Sequence, residues 1–295
     1  MSAAAVPPRI LYVTDLAYQA RGRRYCDEDI LFSTRLRRDF TVATCHPADA
    51  ARLMGDFDAV VVRNSGPVIH YREQYEAFRD RALADGVRVY NPLTGRGDMA
   101  GKQYLVELSD AGLPVIPTVD RVADLGRLPD ADEYVLKPKD GADSIGMRFV
   151  PRDGLADLGG SAGGLGDVLV QPRIPFSYEV SFYFVDHDFQ YALYAPDPER
   201  RWQLVPYEAK AVDLDFAGKF IDWNTLDHGI QRVDACRAPD GELLLVELED
   251  LNPFLSLELL DETARDAFIA RTVVSLRALL SRPDGRRPRP RGVDR

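Results

Sequence analysis

The sequence predicts a mixed α/β protein: a small parallel α/β lobe at the N-terminus, followed by two lobes of the α+β kind. Three observations carry that prediction. Strand-like and helix-like stretches alternate through 9–90. From Glu133, a short apolar run, a polar glycine-bearing loop and a second apolar run follow one another. From Val168 the pattern turns strongly β, before one long amphipathic helix. The boundaries expected from these changes are 1–97, 98–170 and 171–281, with the Arg- and Pro-rich 282–295 expected to be a disordered tail.

In order, 9–14 reads as a buried first strand, and 29–38 as a helix entered through the acidic run Asp27-Glu28-Asp29. Strands over 40–44 and 57–63 flank a helical patch, a helix over 71–85 stops at Gly86, and a short strand over 87–90 is closed by Asn91-Pro92. A parallel lobe takes ligands at the carboxyl ends of its strands, which singles out Arg63 and the acids Asp27, Glu28 and Asp29 as candidate substrate contacts. A surface salt bridge is the plain alternative for Arg63. A helix over 102–111 stops at Gly112, and 113–118 extends away from it. The glycines of 159–164 form a flexible connector. Strands follow over 168–171, 178–185, 190–194 and 202–205, with Pro172 and Pro175 stiffening 171–175, and a long helix covers 258–280.

The stretch 133–150 carries the most chemistry. A strand delivers Lys137 at its end, and the loop that follows lacks bulky side chains. Backbone N–H groups can then close on phosphate oxygens while the ammonium neutralises them. An ordinary hairpin with a surface lysine is the alternative. The run 95–103 is not a P-loop, because no glycine pair has the required spacing and Gln103 stands where a metal-binding hydroxyl is needed.

Near the end, 229–237 and 242–249 form two strands joined by the turn Ala238-Pro239-Asp240-Gly241. If Ala238 faces Gly241, Arg232 pairs with Glu247 and Asp234 with Leu245, while Leu244, Val246 and Leu248 fill the apolar face. Arg232, Asp234, Glu247 and Glu249 then point the same way. Three carboxylates on one face repel unless a cation sits among them, and hard divalent ions shared with phosphate oxygens suit such a set. A solvated acidic strand is the alternative.

The 295 residues are 45% hydrophobic and 28% charged, with a net charge of −10. The acidic balance argues against nucleic acid or anionic membrane as the main partner. Three scattered cysteines give neither a disulfide framework nor a zinc site. No stretch has the length and apolarity of a membrane helix, so the cytoplasm is the expected location.

Taken together, the motifs resemble the ATP-grasp ligases: D-alanine–D-alanine ligase and, for the first lobe, glutathione synthetase and the glutamate-adding ligases. Lys137-Pro with Ser144-Ile145-Gly146 is similar to their nucleotide lysine and mobile loop, and Tyr207-Glu-Ala-Lys210 to a stretch whose lysine contacts the transferred phosphate. Arg232-Val-Asp234 and Glu247-Leu248-Glu249 resemble the metal motifs, Lys102 the earlier phosphate lysine, Gln171 to Ile174 the adenine hinge, and Glu179 the ribose-binding acid. Val61-Val-Arg63 resembles a glutathione synthetase strand end whose arginine faces substrate. Three departures stand out. Glu249 replaces an asparagine, Gln171 replaces a glutamate, and the segment around Asn252-Pro253 replaces the one that holds the second D-alanine, which counts against D-alanyl-D-alanine synthesis itself.

The resemblance implies the ATP-grasp fold, with two lobes clasping ATP, and an ADP-forming ligase that joins an amino-acid carboxylate to an amine through an acyl phosphate. Two Mg²⁺, or Mn²⁺, would lie on Asp234, Glu247 and Glu249. Lys102, Lys137, Lys139, Ser144, Ile145, Gly146, Gln171, Ile174, Glu179 and Leu248 would hold the nucleotide. Arg232, Lys210 and Ser144 would act in catalysis, and Arg63, Glu28 and Asn252 would meet small amino-acid substrates. The resemblance also implies a homodimer. A catalytically silent ATP-binding regulatory protein and a small-molecule kinase on the same fold are the alternatives.

Overall fold

Short runs rich in Val, bounded by turns, build the first sheet. β1 (Arg9–Val13), β2 (Gln19–Ala20), β3 (Arg23–Arg24), α1 (Tyr25–Leu36), β4 (Thr41–Cys45), α2 (Pro47–Leu53), β5 (Ala59–Val62), α3 (Arg72–Ala84) and β6 (Val89–Tyr90) follow one another. The strands β4, β1, β5 and β6 pair in parallel in that order, and β2 with β3 makes a separate ribbon. All four residues of β5 are buried, the mark of a parallel strand covered on both faces. The computed structural model describes residues 6–20, 23–63, 71–140, 146–160, 165–200 and 202–283.

After α4 (Tyr104–Asp110), β7 (Glu133–Pro138), β8 (Arg148–Pro151) and β9 (Val168–Pro172) form an antiparallel sheet with β7 in the middle. Then β10 (Tyr178–Val185), β11 (Asp188–Ala195), β12 (Val205–Pro206), α5 (Ala211–Asn224), β13 (Ile230–Arg237), β14 (Leu243–Glu249) and α6 (Glu262–Ser281) complete the chain. The third sheet is antiparallel in the order β12, β11, β10, β13, β14.

The two faces of this third sheet position the site. On one face Val180, Phe182, Val233 and Leu248 pack on Leu105 and Leu108 of α4 and Phe220 and Ile221 of α5. On the other, Tyr183, Val185 and Ile230 pack on Phe268 and Leu276 of α6 and on Tyr12 and Phe32 of the first lobe. Side chains alternate along a strand, so Ser181 and Glu179 continue the row that Val185 and Tyr183 begin, and they are only half-buried. The second face is therefore core at one end and cleft at the other.

Several boundaries differ from expectation. α1 begins at Tyr25, so the acidic run lies inside its first turns. Asp29 belongs to the buried stripe Cys26, Phe32 and Leu36, and an acid in an apolar stripe reads as a helix entry. α6 starts at Glu262, where the Asp261 carboxylate accepts from the N–H of Ala264 at 2.8 Å, and Leu257–Leu259 is a separate 3-10 turn. The strand expected over 202–205 shrinks to Val205–Pro206. Positions 161–164 of the glycine connector and 284–295 of the tail lie outside the described residues.

Candidate active site

The C-terminal hairpin gathers the acids, through a register that differs from the expected one. Near the turn the N–H of Ala238 donates to the carbonyl of Glu242 at 2.9 Å, and Ala235, Cys236 and Arg237 pair with Leu245, Leu244 and Leu243. The register then shifts between Ala235 and Asp234, so that Asp234 pairs with Glu247 and Arg232 with Glu249, not with Leu245 and Glu247 as expected. A one-residue offset alone would split the charged set. The bulge adds the second residue and restores it, with Leu243, Leu245 and Leu248 buried on the apolar face in place of Leu244 and Val246.

Within the set, Arg232 donates to both Asp234 oxygens (2.9 and 2.8 Å), to Glu249 and to the carbonyl of Phe254 (2.9 Å). Ser181 Oγ donates to Asp234 Oδ1 at 2.7 Å. Lys102 Nζ sits on Glu247 Oε1. Burial raises the Glu247 carboxyl, but Lys102, Lys137 and Arg232 outweigh it and hold the group below its usual value. Glu249 goes the other way. Burial, then Asp234 and Glu247 against the pull of Arg232, push its carboxyl up to about 8.

The lysines arrive from the segment before α4 and from the end of β7. Gly101, at φ 85°, lets the chain turn so that the N–H of Lys102 donates to the carbonyl of Lys139 at 2.7 Å, tying the segment before α4 to the end of β7. Lys102 therefore stands between the strand tipped by Lys137 and the acids of β14. Lys139 is engaged by Asp120 at 3.0 Å. Gln171 is buried in β9, its amide donating to Thr118 Oγ1 at 2.8 Å, while Ile174 and Glu179 are half-buried and Leu248 lies wholly within the apolar core. Gly146 has φ 76°; Ser144 and Ile145 lie outside the described residues. Lys210 is exposed at the start of α5, its N–H donating to Asp213 at 3.0 Å, and among the described residues its ammonium forms no ion pair with the three acids.

The first-lobe candidates are placed differently from expectation. Arg63 and Glu28, expected to face substrate, face each other at 3.4 Å with side chains 2% and 1% exposed. Arg63 also donates to the carbonyl of Pro253 (2.6 Å), and Glu28 accepts from the N–H groups of Leu255 (2.9 Å) and Leu257 (3.1 Å). Asn252 donates to the carbonyl of Arg63 at 2.9 Å. These residues staple the segment after β14 to the first lobe. Asp29 is buried and accepts from Tyr12 and Thr14 hydroxyls, while Asp27 pairs with exposed Arg24 at 3.1 Å.

Sequence reasoning missed the clasp behind β14. Asp250 is fully buried and accepts from the N–H groups of Gly97 and Met99 and from Asn224, each at 2.9 Å; Asp98 in turn accepts from the N–H groups of Asp250 (2.7 Å) and Leu251 (3.0 Å). A Cβ on Gly95 would meet Asp250 Oδ2 at 2.3 Å, and one on Gly97 the Leu248 carbonyl at 2.6 Å. The glycines of the false phosphate loop exist for this close approach.

Among the described residues no three acidic, His or Cys side chains close on one point by themselves, because Arg232 and Lys102 lie among the acids. The donor set nonetheless fits a divalent ion that takes one or two carboxylates and completes its shell with water and phosphate oxygens. Glu249, held high by burial and then by Asp234 and Glu247, is where added positive charge would relieve repulsion.

No protein-family model matches the chain, and no curated protein matches its sequence. Solved structures do match. A D-cycloserine synthetase aligns with a TM-score of 0.70 at 22% identity, over 92% of this chain and 100% of its own. The RiPP-associated ATP-grasp ligase of Chryseobacterium gregarium, in complex with ADP and a leader and core peptide, gives 0.64 at 14%, over 95% and 100%. The D-alanine–D-alanine ligase of Bacillus anthracis, complexed with ATP, gives 0.62 at 14%, over 92% and 98%. With its three sheets in this order and these neighbours, the chain has the ATP-grasp fold.

Proposed function

We propose that the chain is an ADP-forming ligase that joins the carboxylate of an amino acid to an amine. The observation that carries the reading is the meeting of two lobes on one point: Lys102 rests on Glu247, Lys137 is near enough to lower that carboxyl, and Asp234 stands directly opposite it. Groups of both signs in a half-buried cleft suit a triphosphate with its metal, whereas a solvated acidic strand would need no lysine from another sheet.

In this reading Lys102 and Lys137 hold the phosphates, Lys210 approaches the transferred group when the lobes close, and the surroundings of Gln171, Ile174 and Glu179 take the nucleoside. Asp234, Glu247 and Glu249 would hold Mg²⁺, which supplies charge neutralisation during transfer. The substrate carboxylate attacks the γ-phosphorus, ADP leaves, and the amine displaces phosphate from the acyl phosphate. Arg232, held on β13 by Asp234 and Glu249, would stabilise the oxyanion of that second step. Positioning supplies most of the catalysis. Glu28, Arg63 and Asn252 shape the substrate side by holding 253–257 in place.

The test is a panel of amino acids, short peptides and amines incubated with ATP and Mg²⁺, with ADP and product mass measured together. The expected result is ADP release that requires both a carboxylate and an amine, with a product lighter than the pair by one water. A phosphorylated product formed without amine would establish the kinase instead, and nucleotide binding with no turnover the regulatory protein.

A further inference from the structure

In the second sheet a buried hydroxyl decides which end of a buried amide is free. Val135 of β7 pairs with Gln171 of β9. Reciprocal bonds between Val119 and Val170 (3.1 and 2.8 Å) carry the antiparallel pairing on to the segment before β7, so that Thr118 stands opposite Gln171.

Tyr134, Leu136, Val170 and Val119 fill one face of these strands. Side chains alternate, so Val135, Gln171 and Thr118 form a row on the other face, and Lys137 lies on that same face one row, about 7 Å, along β7. Leu169, paired with Lys137, packs into the core of the third sheet, and Lys137 is near enough to Glu247 to lower its carboxyl. The face that holds Gln171 is therefore the one turned to the phosphate site.

Thr118 and Gln171 are each 1% exposed. A hydroxyl has one proton to give, and that of Thr118 goes to the carbonyl of Ile116 at 2.7 Å. Towards Gln171 the hydroxyl oxygen can then only accept, so the amide atom at 2.8 Å is Nε2 and one of the two amide orientations is selected. Oε1 points away from Thr118, and among the described residues nothing donates to it. Turning the amide over would set two acceptors face to face, or take the proton from Ile116; either way a buried polar group loses its partner. A carboxylate at this position would accept through either oxygen, whereas the two ends of a glutamine are of opposite sense.

We infer that Thr118 is a positioning residue that makes the site selective for a nucleobase bearing an exocyclic amine, by holding Gln171 Oε1 as a fixed acceptor. A base with an oxo group at the same ring carbon meets that oxygen as a second acceptor and is turned away. The inference rests on the proposed nucleotide site beside Gln171, and a binding measurement separates it from the ligase reading.

Calorimetric titration of the full chain with Mg·ADP and with Mg·IDP, which carry an amine and an oxo group at the same ring carbon, needs neither substrate nor turnover. ADP should bind at least about tenfold more tightly than IDP. Thr118→Val removes the hydroxyl at nearly constant shape and frees the amide to turn, so the preference should fall below about threefold, with IDP bound more tightly than by the wild type. Thr118→Ala gives the same reading should the valine variant not fold, and Thr118→Ser, which keeps the hydroxyl, keeps the preference. Adding Gln171→Glu to Thr118→Val restores it, because a carboxylate has no N–H to offer an oxo group. A merely structural Thr118 would weaken both nucleotides on substitution and give IDP no gain. Equal wild-type affinities, or no gain for IDP in either Thr118 variant, overturns the inference and leaves the ligase reading standing; a wild type that binds neither nucleotide overturns both.

Discussion

Arg63 and Arg232 look alike in sequence, each in or just beyond an apolar strand with acids elsewhere to pair with, and they hold successive carbonyls of one segment, Pro253 and Phe254. Their surroundings divide them. The pair of Arg63 with Glu28 is sealed from solvent, and the remaining capacity of Glu28 is spent on backbone N–H groups. Arg232 is 16% exposed, and its partners Asp234 and Glu249, at 21% and 19%, line an open half-face of a sheet. A buried ion pair whose other bonds go to backbone fixes a loop, whereas one left at a cleft with surplus acid can exchange partners when ligand arrives.

The largest effect expected from this contrast lies at the cleft. Glu247→Gln keeps an oxygen to accept from Lys102, so the fold persists, but it removes the carboxylate that the metal and phosphates need. Substrate-dependent ADP release should fall by about a thousandfold or more. A variant retaining wild-type turnover would place the chemistry elsewhere.

At the sealed pair the response should be structural. Arg63→Met leaves the Glu28 carboxyl buried without its cation, which costs about 3 kcal/mol. Urea unfolding reads that loss directly. If stability is unchanged and only the substrate KM rises, Arg63 touches substrate and the distinction drawn above is lost.

A somewhat smaller loss is expected behind the hairpin. Gly97→Ala would place a Cβ 2.6 Å from the Leu248 carbonyl and 3.0 Å from Asp250 Cγ. Neither can retreat without moving β14, so about 2 kcal/mol should go. An alanine tolerated without loss would show that the segment 95–98 gives way freely.

How much of this was legible in the sequence follows from range. The alternation of strands and helices in the first lobe follows from local period, whereas the common face of Arg232, Asp234, Glu247 and Glu249 is kept only because a bulge compensates a register different from the expected one. The bulge at β14 was not legible, because it keeps the strand's apolar face filled while burying Leu243 and Leu245 in place of Leu244 and Val246. The destinations of Glu28, Arg63 and Asp250 depend on partners 26 to 229 positions away, and no window of sequence contains those. The one signal for the Asp250 clasp was the glycine pair Gly95 and Gly97, which read as a failed ligand loop because close backbone approach has the same requirement whether the visitor is a phosphate or a carboxylate.

The finest test of the sealed pair is its proton. Burial pushes the Glu28 carboxyl up to about 7, opposed by Arg63 and by the N–H groups of Leu255 and Leu257, against an ordinary value of 4.5. Below pH 4.5 folded and unfolded chains both hold the proton, so the group's contribution is fully present. Between 4.5 and about 7 the unfolded chain releases it first, so stability falls as pH rises, by at most about 1.4 kcal/mol per unit from this group. Above that window both states are ionised and the slope vanishes. Unfolding free energies of wild type and Glu28→Gln across the window should therefore diverge, the wild type losing more toward neutral pH. Parallel curves would mean that Glu28 keeps its charge throughout and that Arg63 fully compensates its burial, in contrast to Glu249 at the cleft, whose carboxyl stays high beside Arg232.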